Sequence, residues 1–251
     1  MIATWIMSGL WGLLAGSALL VGAIFGYFFK IPQRIVASIM AFGAGVLMSA
    51  ISFELLDEAY ALGGAYHVVA GFLIGATIFT LANVYLARKG AKHRKRSGKA
   101  ILSENGFESS GPAIAVGSVL DGIPESIAIG LTMIEGGIVS TATVVAIFLS
   151  NIPEGLSSST GMKTMGWRAV PIFVLWTVIT LCTGVSSLAG YTIFSHFSPG
   201  IIAAVLALAA GGILAMLVDT MIPEAFSETH NLAGMVTVLG FILSFILSKF
   251  G

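Results

Sequence analysis

Two copies of an Ile-Pro-Glu triplet carry the residues best suited to chemistry in this sequence. The first copy brings Asp121 close to Glu125, because residues four apart share one face of a helix. The second brings Ser150 close to Glu154 in the same way, with Asn151 one step round the helix. If the two helices pack together, three carboxylates, a hydroxyl and an amide converge on one small volume.

The chemistry that this set of groups suggests is the binding of a cation. Three negative charges in one place repel strongly, and no lysine or arginine lies in either helix core to neutralise them. Each triplet proline also disturbs the helical hydrogen bond to the carbonyl four residues earlier, at Leu120 and Leu149, which leaves extra oxygen ligands or sites for water. The alternative is a pair of proline kinks whose glutamates bond to serine and threonine for packing. The charge pattern favours a cation path.

Further acidic residues lie toward the ends of two other apolar segments. Glu54 and Glu58 share a face near one end of the second segment, and Asp219 and Glu224 lie near one end of the seventh. Acidic side chains at such positions attract cations by focusing the electric field. They are therefore candidates for an entrance and an exit. The alternative is that these carboxylates simply reach the water around the lipid headgroups.

The composition places these residues in a membrane. Of the 251 residues, 57% are hydrophobic and 10% are charged, whereas soluble domains carry about 25% charged residues. A soluble enzyme, a disordered tail and a nucleic-acid binder are therefore excluded. The single cysteine, Cys182, excludes an internal disulfide and a cysteine-based metal cluster. The sequence predicts a polytopic helical membrane protein that is surrounded by the lipid bilayer.

Eight segments are long and apolar enough to cross a bilayer, which needs about 20 residues per helix. They are Thr4–Phe29, Gln33–Leu62, Tyr66–Ala87, Pro112–Ile134, Ile138–Gly161, Arg168–Phe194, Pro199–Phe226 and Leu232–Ser248. Basic residues concentrate after the first, third and fifth segments, so the positive-inside rule puts those loops, including residues 88–111, in the cytoplasm. This pattern predicts an all-α membrane protein of eight transmembrane helices with both termini outside.

Some of these segments repeat one another. Ala44 and Glu58 of the second segment overlay without gaps on Ala210 and Glu224 of the seventh, and the fourth and fifth segments share the Ile-Pro-Glu triplet. Because the paired segments run in opposite directions, we expect an inverted repeat of helices 1–3 and 6–8 around a central helix 4–5 pair. Secondary transporters are commonly built in this way, with sites near the midplane on interrupted helices.

At these residues the sequence resembles the ZIP family of metal transporters. The paired family motif His-Asn-x-Pro-Glu-Gly is similar to Asp121–Ser126 and Ser150–Gly155, and the family's Pro-Glu-Ala helix endings are similar to Glu54–Ala59 and Met221–Ala225. Eight helices, outer termini and a variable cytoplasmic loop after helix 3 also match. Residues 1–251 are therefore identified as a single ZIP-like transmembrane transporter domain.

The resemblance implies uptake of a divalent metal toward the cytosol through a site between helices 4 and 5. By position, Asp121, Glu125, Ser150 and Glu154 match the first metal site of the family, and Asn151 with both glutamates matches part of a second. The metal is the cargo, so no permanently bound cofactor is expected. The resemblance also makes a homodimer plausible, and the short loops favour the inner membrane of a prokaryotic cell.

The chain departs from the family motif where metal ligands are expected. Both motif histidines are replaced, by Asp121 and Ser150, and the first motif asparagine is replaced by Gly122. An all-oxygen site suits manganese or iron(II) better than a histidine site does, yet affinity still rises toward zinc in the Irving–Williams order. We therefore expect zinc first, and manganese or iron next.

Two other functions compete with transport. One is a non-transporting relative that senses metal or has a structural role, although the retained Glu125 and Glu154 argue against it. The other is an intramembrane metalloenzyme, which would usually need histidine ligands and an activated water. No histidine lies in a helix core, so the sequence predicts a transporter and not an enzyme.

Overall fold

A computed structural model of the chain describes residues 3–88, 111–134 and 136–250, without the side chains of residues 111–116. Within these ranges the fold is all-helical, as the sequence predicts. The predicted cytoplasmic loop at 88–111 lies outside the described residues, apart from its first and last positions.

In chain order the α-helices are α1 (Thr4–Phe28), α2 (Gln33–Ala50), α3 (Leu56–Leu86), α4 (Gly111–Thr132), α5 (Thr141–Thr164), α6 (Ala169–Phe194), α7 (Pro199–Met216), α8 (Ile222–Thr229) and α9 (Ala233–Phe250). Five helices, α1, α4, α5, α6 and α9, begin and end within a few residues of a predicted apolar segment, whereas the second, third and seventh predicted segments do not each match a single helix. A π-helical segment, Ile51–Leu55, joins α2 to α3, and a second one, Leu217–Met221, joins α7 to α8. A 3-10 turn at His230–Leu232 leads into α9.

Four continuous helical stretches in the described part of the chain are long and apolar enough to cross a membrane. They are Thr4–Phe28, Gln33–Leu86, Ala169–Phe194 and Pro199–Phe250. Large apolar side chains are exposed along them, as expected of helices whose outer surface faces lipid. α4 and α5 carry the acidic triplets, and α5 also carries eight serines and threonines, which make it less apolar than these stretches. The chain is a membrane protein, and the count of eight spans stays a prediction.

Irregular backbone recurs at equivalent places in the two halves of the chain. Inside α3, Gly64 has φ 69° and ψ 179°, a conformation that is essentially restricted to glycine. His230, at the end of α8, also has a positive φ, of 43°, and follows Gly64 by 166 residues. The π-helical segments Ile51–Leu55 and Leu217–Met221 are separated by the same 166 residues. The repeat in the sequence is therefore also a repeat of structure.

Glycines allow the equivalent helices of the two halves to pack closely. A Cβ added to Gly75 of α3 would lie 1.9 Å from the carbonyl oxygen of Leu208 in α7. A Cβ added to Gly240 of α9 would lie 2.1 Å from the carbonyl oxygen of Phe42 in α2. Because Phe42 and Leu208 are again 166 residues apart, α9 packs on α2 as α3 packs on α7.

The first helices of the two halves, α1 and α6, pack against each other in opposite directions. Near the start of α1, the hydroxyls of Ser8 and Ser187 each donate to the other's carbonyl oxygen, at 2.7 and 2.8 Å. Farther along α1, Thr180 Oγ1 donates to the carbonyl oxygen of Gly16 at 3.1 Å. The contacts advance along α1 and retreat along α6, so these two helices are antiparallel, as an inverted repeat requires.

The helix that carries the second triplet lies between two different helices. α5 packs most extensively on α1, which also packs on α6, whereas α2 packs mainly on α9 and α3 packs mainly on α7. α5 also lies on α2, where the Cα of Ser150 is 3.2 Å from the place that a Cβ on Gly43 would occupy. The fold therefore positions the second triplet between α1 and α2.

Candidate cation site

α4 holds two of the predicted ligands in its buried middle. Asp121 and Glu125 are each 2% exposed, and they lie one turn apart on the same face of the helix. The helix continues through Pro124, which lacks an amide hydrogen to donate. Gly122 lies against α6, since Thr183 Cγ2 is 3.5 Å from the place that a Cβ would occupy. At this distance a Cβ would make an ordinary van der Waals contact, so the approach of α4 and α6 beside the two acids does not require a glycine.

α5 holds the other three predicted ligands, which are also buried. Ser150, Asn151 and Glu154 are 2%, 3% and 4% exposed. The Ser150 hydroxyl donates to the carbonyl oxygen of Ile147 at 2.9 Å, so its oxygen lone pairs remain for a cation. The Asn151 side chain donates through Nδ2 to the carbonyl oxygen of Ala15 in α1 at 3.1 Å. Its Oδ1 is therefore the atom that can coordinate a cation.

The predicted convergence of the three carboxylates is not seen in this conformation. Within the described ranges, no group of three or more histidine, cysteine, aspartate and glutamate side chains is arranged to hold a metal ion. The reason is helix packing, because α4 lies mainly on α6 and α7, whereas α5 lies mainly on α1 and α2. Asp121 and Glu125 stay together on α4, and Ser150 and Glu154 stay together on α5.

Glu54 lies in the first π-helical segment and contacts the start of α5. Its Oε2 accepts a hydrogen bond from Ser140 Oγ at 2.7 Å, and Ser140 Oγ accepts one from the Thr143 amide at 3.1 Å. Ser140 is the N-cap of α5, so this half-buried carboxylate lies at the positive end of the helix that carries Glu154. Ser140 was not predicted as a functional residue, although a serine before a helix is an N-cap signal.

The remaining predicted acids lie in or next to the irregular turns. Asp219, in the second π-helical segment, is exposed, and its Oδ2 accepts a hydrogen bond from Asn83 Nδ2 at 3.4 Å. Glu224, in the first turn of α8, is buried, whereas its repeat partner Glu58 is half-buried. Because π-helical turns are frequent at functional sites, the position of one acid in each of them supports a role for these turns. The contact with Asn83 had no signal in the sequence.

The histidines that the structure describes lie at helix ends or next to the break at Gly64 in α3. The Nδ1 atoms of His67 and His230 bond to carbonyl oxygens four residues earlier, at 2.6 and 3.0 Å. His196 Nδ1 bonds to the neighbouring hydroxyl of Ser195 at 2.9 Å. None of these three side chains is buried. The predicted ligands on α4 and α5 would coordinate a cation through oxygen atoms.

A comparison with known proteins found a related plant protein. The chain is 26% identical over 214 residues to an Arabidopsis thaliana protein whose name is "Putative zinc transporter". This relative is named as a metal transporter. The match covers 82% of this chain, whereas the chain spans about a third of the plant protein, 32%. No protein-family model matches the chain. The relative's name agrees with the resemblance to the ZIP family that the triplet motifs carry.

Proposed function

We propose that this protein transports divalent transition-metal cations across a membrane toward the cytosol, with zinc as the first candidate and manganese or iron(II) as the next. The observation that carries the proposal is the burial of three carboxylates, Asp121, Glu125 and Glu154, in the middle of two membrane helices. A charged side chain at the centre of a bilayer costs about 3 kcal/mol or more, and such residues mark ion pathways. The name of the plant relative points in the same direction.

The ligands that we assign are all oxygen atoms. Asp121, Glu125 and Glu154 supply negative charge, while Ser150 and Asn151 supply neutral oxygens. The two ligand-bearing helices differ in their packing partners, so the complete set of ligands forms when α4 and α5 approach each other around the cation. The metal is a substrate that enters and leaves, and no resident cofactor takes part.

The path that we propose runs from Glu54 to the buried ligands and then to Asp219. Glu54 and Glu58 attract the cation at the outer end, and Glu224 lies with Asp219 at the inner end. Each end coincides with a π-helical segment, Ile51–Leu55 or Leu217–Met221. Carboxylates at both ends raise the local concentration of cations by focusing the electric field.

We infer that the chain crosses the membrane eight times. The stretch Gln33–Leu86 has 54 residues and Pro199–Phe250 has 52, so each is about 80 Å long as a continuous helix, far more than the about 30 Å of a hydrocarbon core. Each stretch therefore accounts for two crossings, which are divided at Gly64 and at His230. With α1, α4, α5 and α6 this makes eight, and the basic residues favour outer termini.

Metal flux into proteoliposomes tests the proposed function. Purified protein is reconstituted, and zinc, manganese, iron(II), cobalt, cadmium and magnesium are offered separately. The proposal predicts uptake of one or more transition metals, with zinc the fastest, and no uptake into protein-free vesicles. If folded protein binds zinc tightly but transports no metal, the proposed transport function is wrong. The alternative, a metal-sensing or structural relative, then replaces it.

A further inference from the structure

Thr143, in the first turn of α5, has a hydroxyl group that differs from those of other helical threonines. The residue is 1% exposed, and its Oγ1 has no hydrogen-bond partner among the residues that the structure describes. Thr77 and Thr160, in contrast, donate to the carbonyl four residues earlier, at 2.7 and 2.8 Å. A buried hydroxyl that makes no hydrogen bond is unfavourable, so helix packing does not explain why this position is polar.

The position of Thr143 lies between Glu54 and the buried ligands. Its backbone amide donates to Ser140 Oγ, which itself donates to Glu54. Seven residues separate Thr143 from Ser150, which puts the two side chains on the same face of α5, about 10 Å apart along the helix axis. Between Ser140 and Ser150, Thr143 provides the one buried side-chain oxygen on this helix.

We propose that Thr143 Oγ1 is a transient oxygen ligand for the divalent cation on its way from Glu54 to Ser150 and Glu154. This inference rests on the proposed transport function. A hydroxyl oxygen is a neutral ligand that holds a divalent cation weakly, and conduction requires a site that a cation can leave. Glu54 offsets the positive end of α5, which would otherwise repel the cation at this point.

Two substitutions separate the hydroxyl from the shape of the side chain. Thr143→Val keeps the shape and removes the oxygen, whereas Thr143→Ser keeps the oxygen. In zinc uptake into proteoliposomes, we expect the initial rate of Thr143→Val to fall about fivefold, which corresponds to about 1 kcal/mol in the barrier. Thr143→Ser should retain the wild-type rate, and equilibrium zinc binding in detergent should be the same for both variants.

The matched control is Thr164→Val on the same helix. Thr164 is exposed and its hydroxyl donates to the carbonyl oxygen of Thr160 at 2.9 Å, so this variant should transport at the wild-type rate. The melting temperature of Thr143→Val should not fall, because the lost hydroxyl makes no hydrogen bond. A wild-type rate in Thr143→Val overturns the inference, and so does an equal slowing of both Thr143 variants with a lower melting temperature. If the wild-type protein itself transports no zinc, the result contradicts the proposed function and not the role of Thr143 alone.

Discussion

The five predicted ligands on α4 and α5 are buried, although three of them carry a carboxylate. Their burial could be predicted, because each lies well inside a long apolar segment of the sequence. The hydrogen-bond partners of the other predicted acids could not be predicted from the sequence. The hydrogen bond of Glu54 to Ser140 joins residues 86 apart in the sequence, and that of Asp219 to Asn83 joins residues 136 apart. Such contacts depend on how distant helices pack, which no local pattern encodes.

If the chain transports zinc as proposed, the three carboxylates of Asp121, Glu125 and Glu154 should make uptake depend on pH. Together they carry one more negative charge than a divalent cation neutralises, so we expect one of them to hold a proton or to take one up as the metal leaves. Acid protonates the remaining carboxylates and weakens their attraction for the cation. Zinc uptake should therefore decline several-fold between about pH 8 and about pH 5.5.

The measurement is the initial rate of zinc uptake, with the same pH inside and outside the vesicles so that no proton gradient contributes. Protein-free vesicles at each pH correct for leakage. A rate that stays constant over this range would show that the carboxylates do not exchange protons during transport, which would contradict the charge argument for Asp121, Glu125 and Glu154.

At the scale of helices, the ends and breaks follow from the sequence but the irregular turns do not. The apolar segments predict the ends of α1, α4, α5, α6 and α9 to within a few residues, and the gap between Leu62 and Tyr66 anticipates the break at Gly64. A π-helical segment adds one residue to a turn and has no residue signature of its own. Ile51–Leu55 and Leu217–Met221 therefore had no signal of their own, although the overlay of the second and seventh segments covers both.

Gly75 should be intolerant of a side chain because α3 and α7 approach closely there. A Cβ would lie 1.9 Å from the backbone oxygen of Leu208, and a backbone atom cannot move aside as a side chain can. We expect Gly75→Ala to destabilise the protein by about 1–3 kcal/mol, the usual cost of overpacking. The measurement is the melting temperature in detergent, which should fall by several degrees.

Gly234 in α9 is the matched control for this substitution. A Cβ added there would meet no atom within 4 Å, and alanine is a better helix former than glycine. Gly234→Ala should therefore leave the melting temperature unchanged or raise it slightly. Equal melting temperatures for Gly75→Ala and the wild-type protein would contradict the close packing of α3 and α7.

At the scale of the whole molecule, the inverted repeat stays a prediction from the sequence, although the two halves repeat the same irregular turns. The overlay of Ala44 and Glu58 on Ala210 and Glu224 predicted the repeat, and the antiparallel packing of α1 and α6 supports it. The sequence did not predict that α4 and α5 would choose different packing partners. Neither helix has a strongly one-sided apolar face, so the pattern does not say which neighbour each one takes.

The orientation of the molecule can be tested with single cysteines. In a Cys182→Ser background, Ile138→Cys lies in the turn before α5, and Thr164→Cys lies at its other end. Both native side chains are exposed, Ile138 by 79%. If both termini are outside, a membrane-impermeant maleimide should label Ile138→Cys on intact cells and should label Thr164→Cys only after permeabilisation. The reverse pattern would contradict the predicted orientation.

Zinc uptake by a charge-removing variant tests whether the buried glutamates of the two triplets carry the metal. Glu125→Gln/Glu154→Gln keeps the size of both side chains and removes their charge, while Glu228→Gln, at an exposed position in α8, is the control. Loss of two charged ligands should slow uptake by about a hundredfold or more, as expected when about 3 kcal/mol of stabilisation is lost. We expect this loss of uptake in the double variant, with an unchanged melting temperature, and we expect wild-type uptake in the control variant. Wild-type zinc uptake in a folded double variant would contradict this expectation.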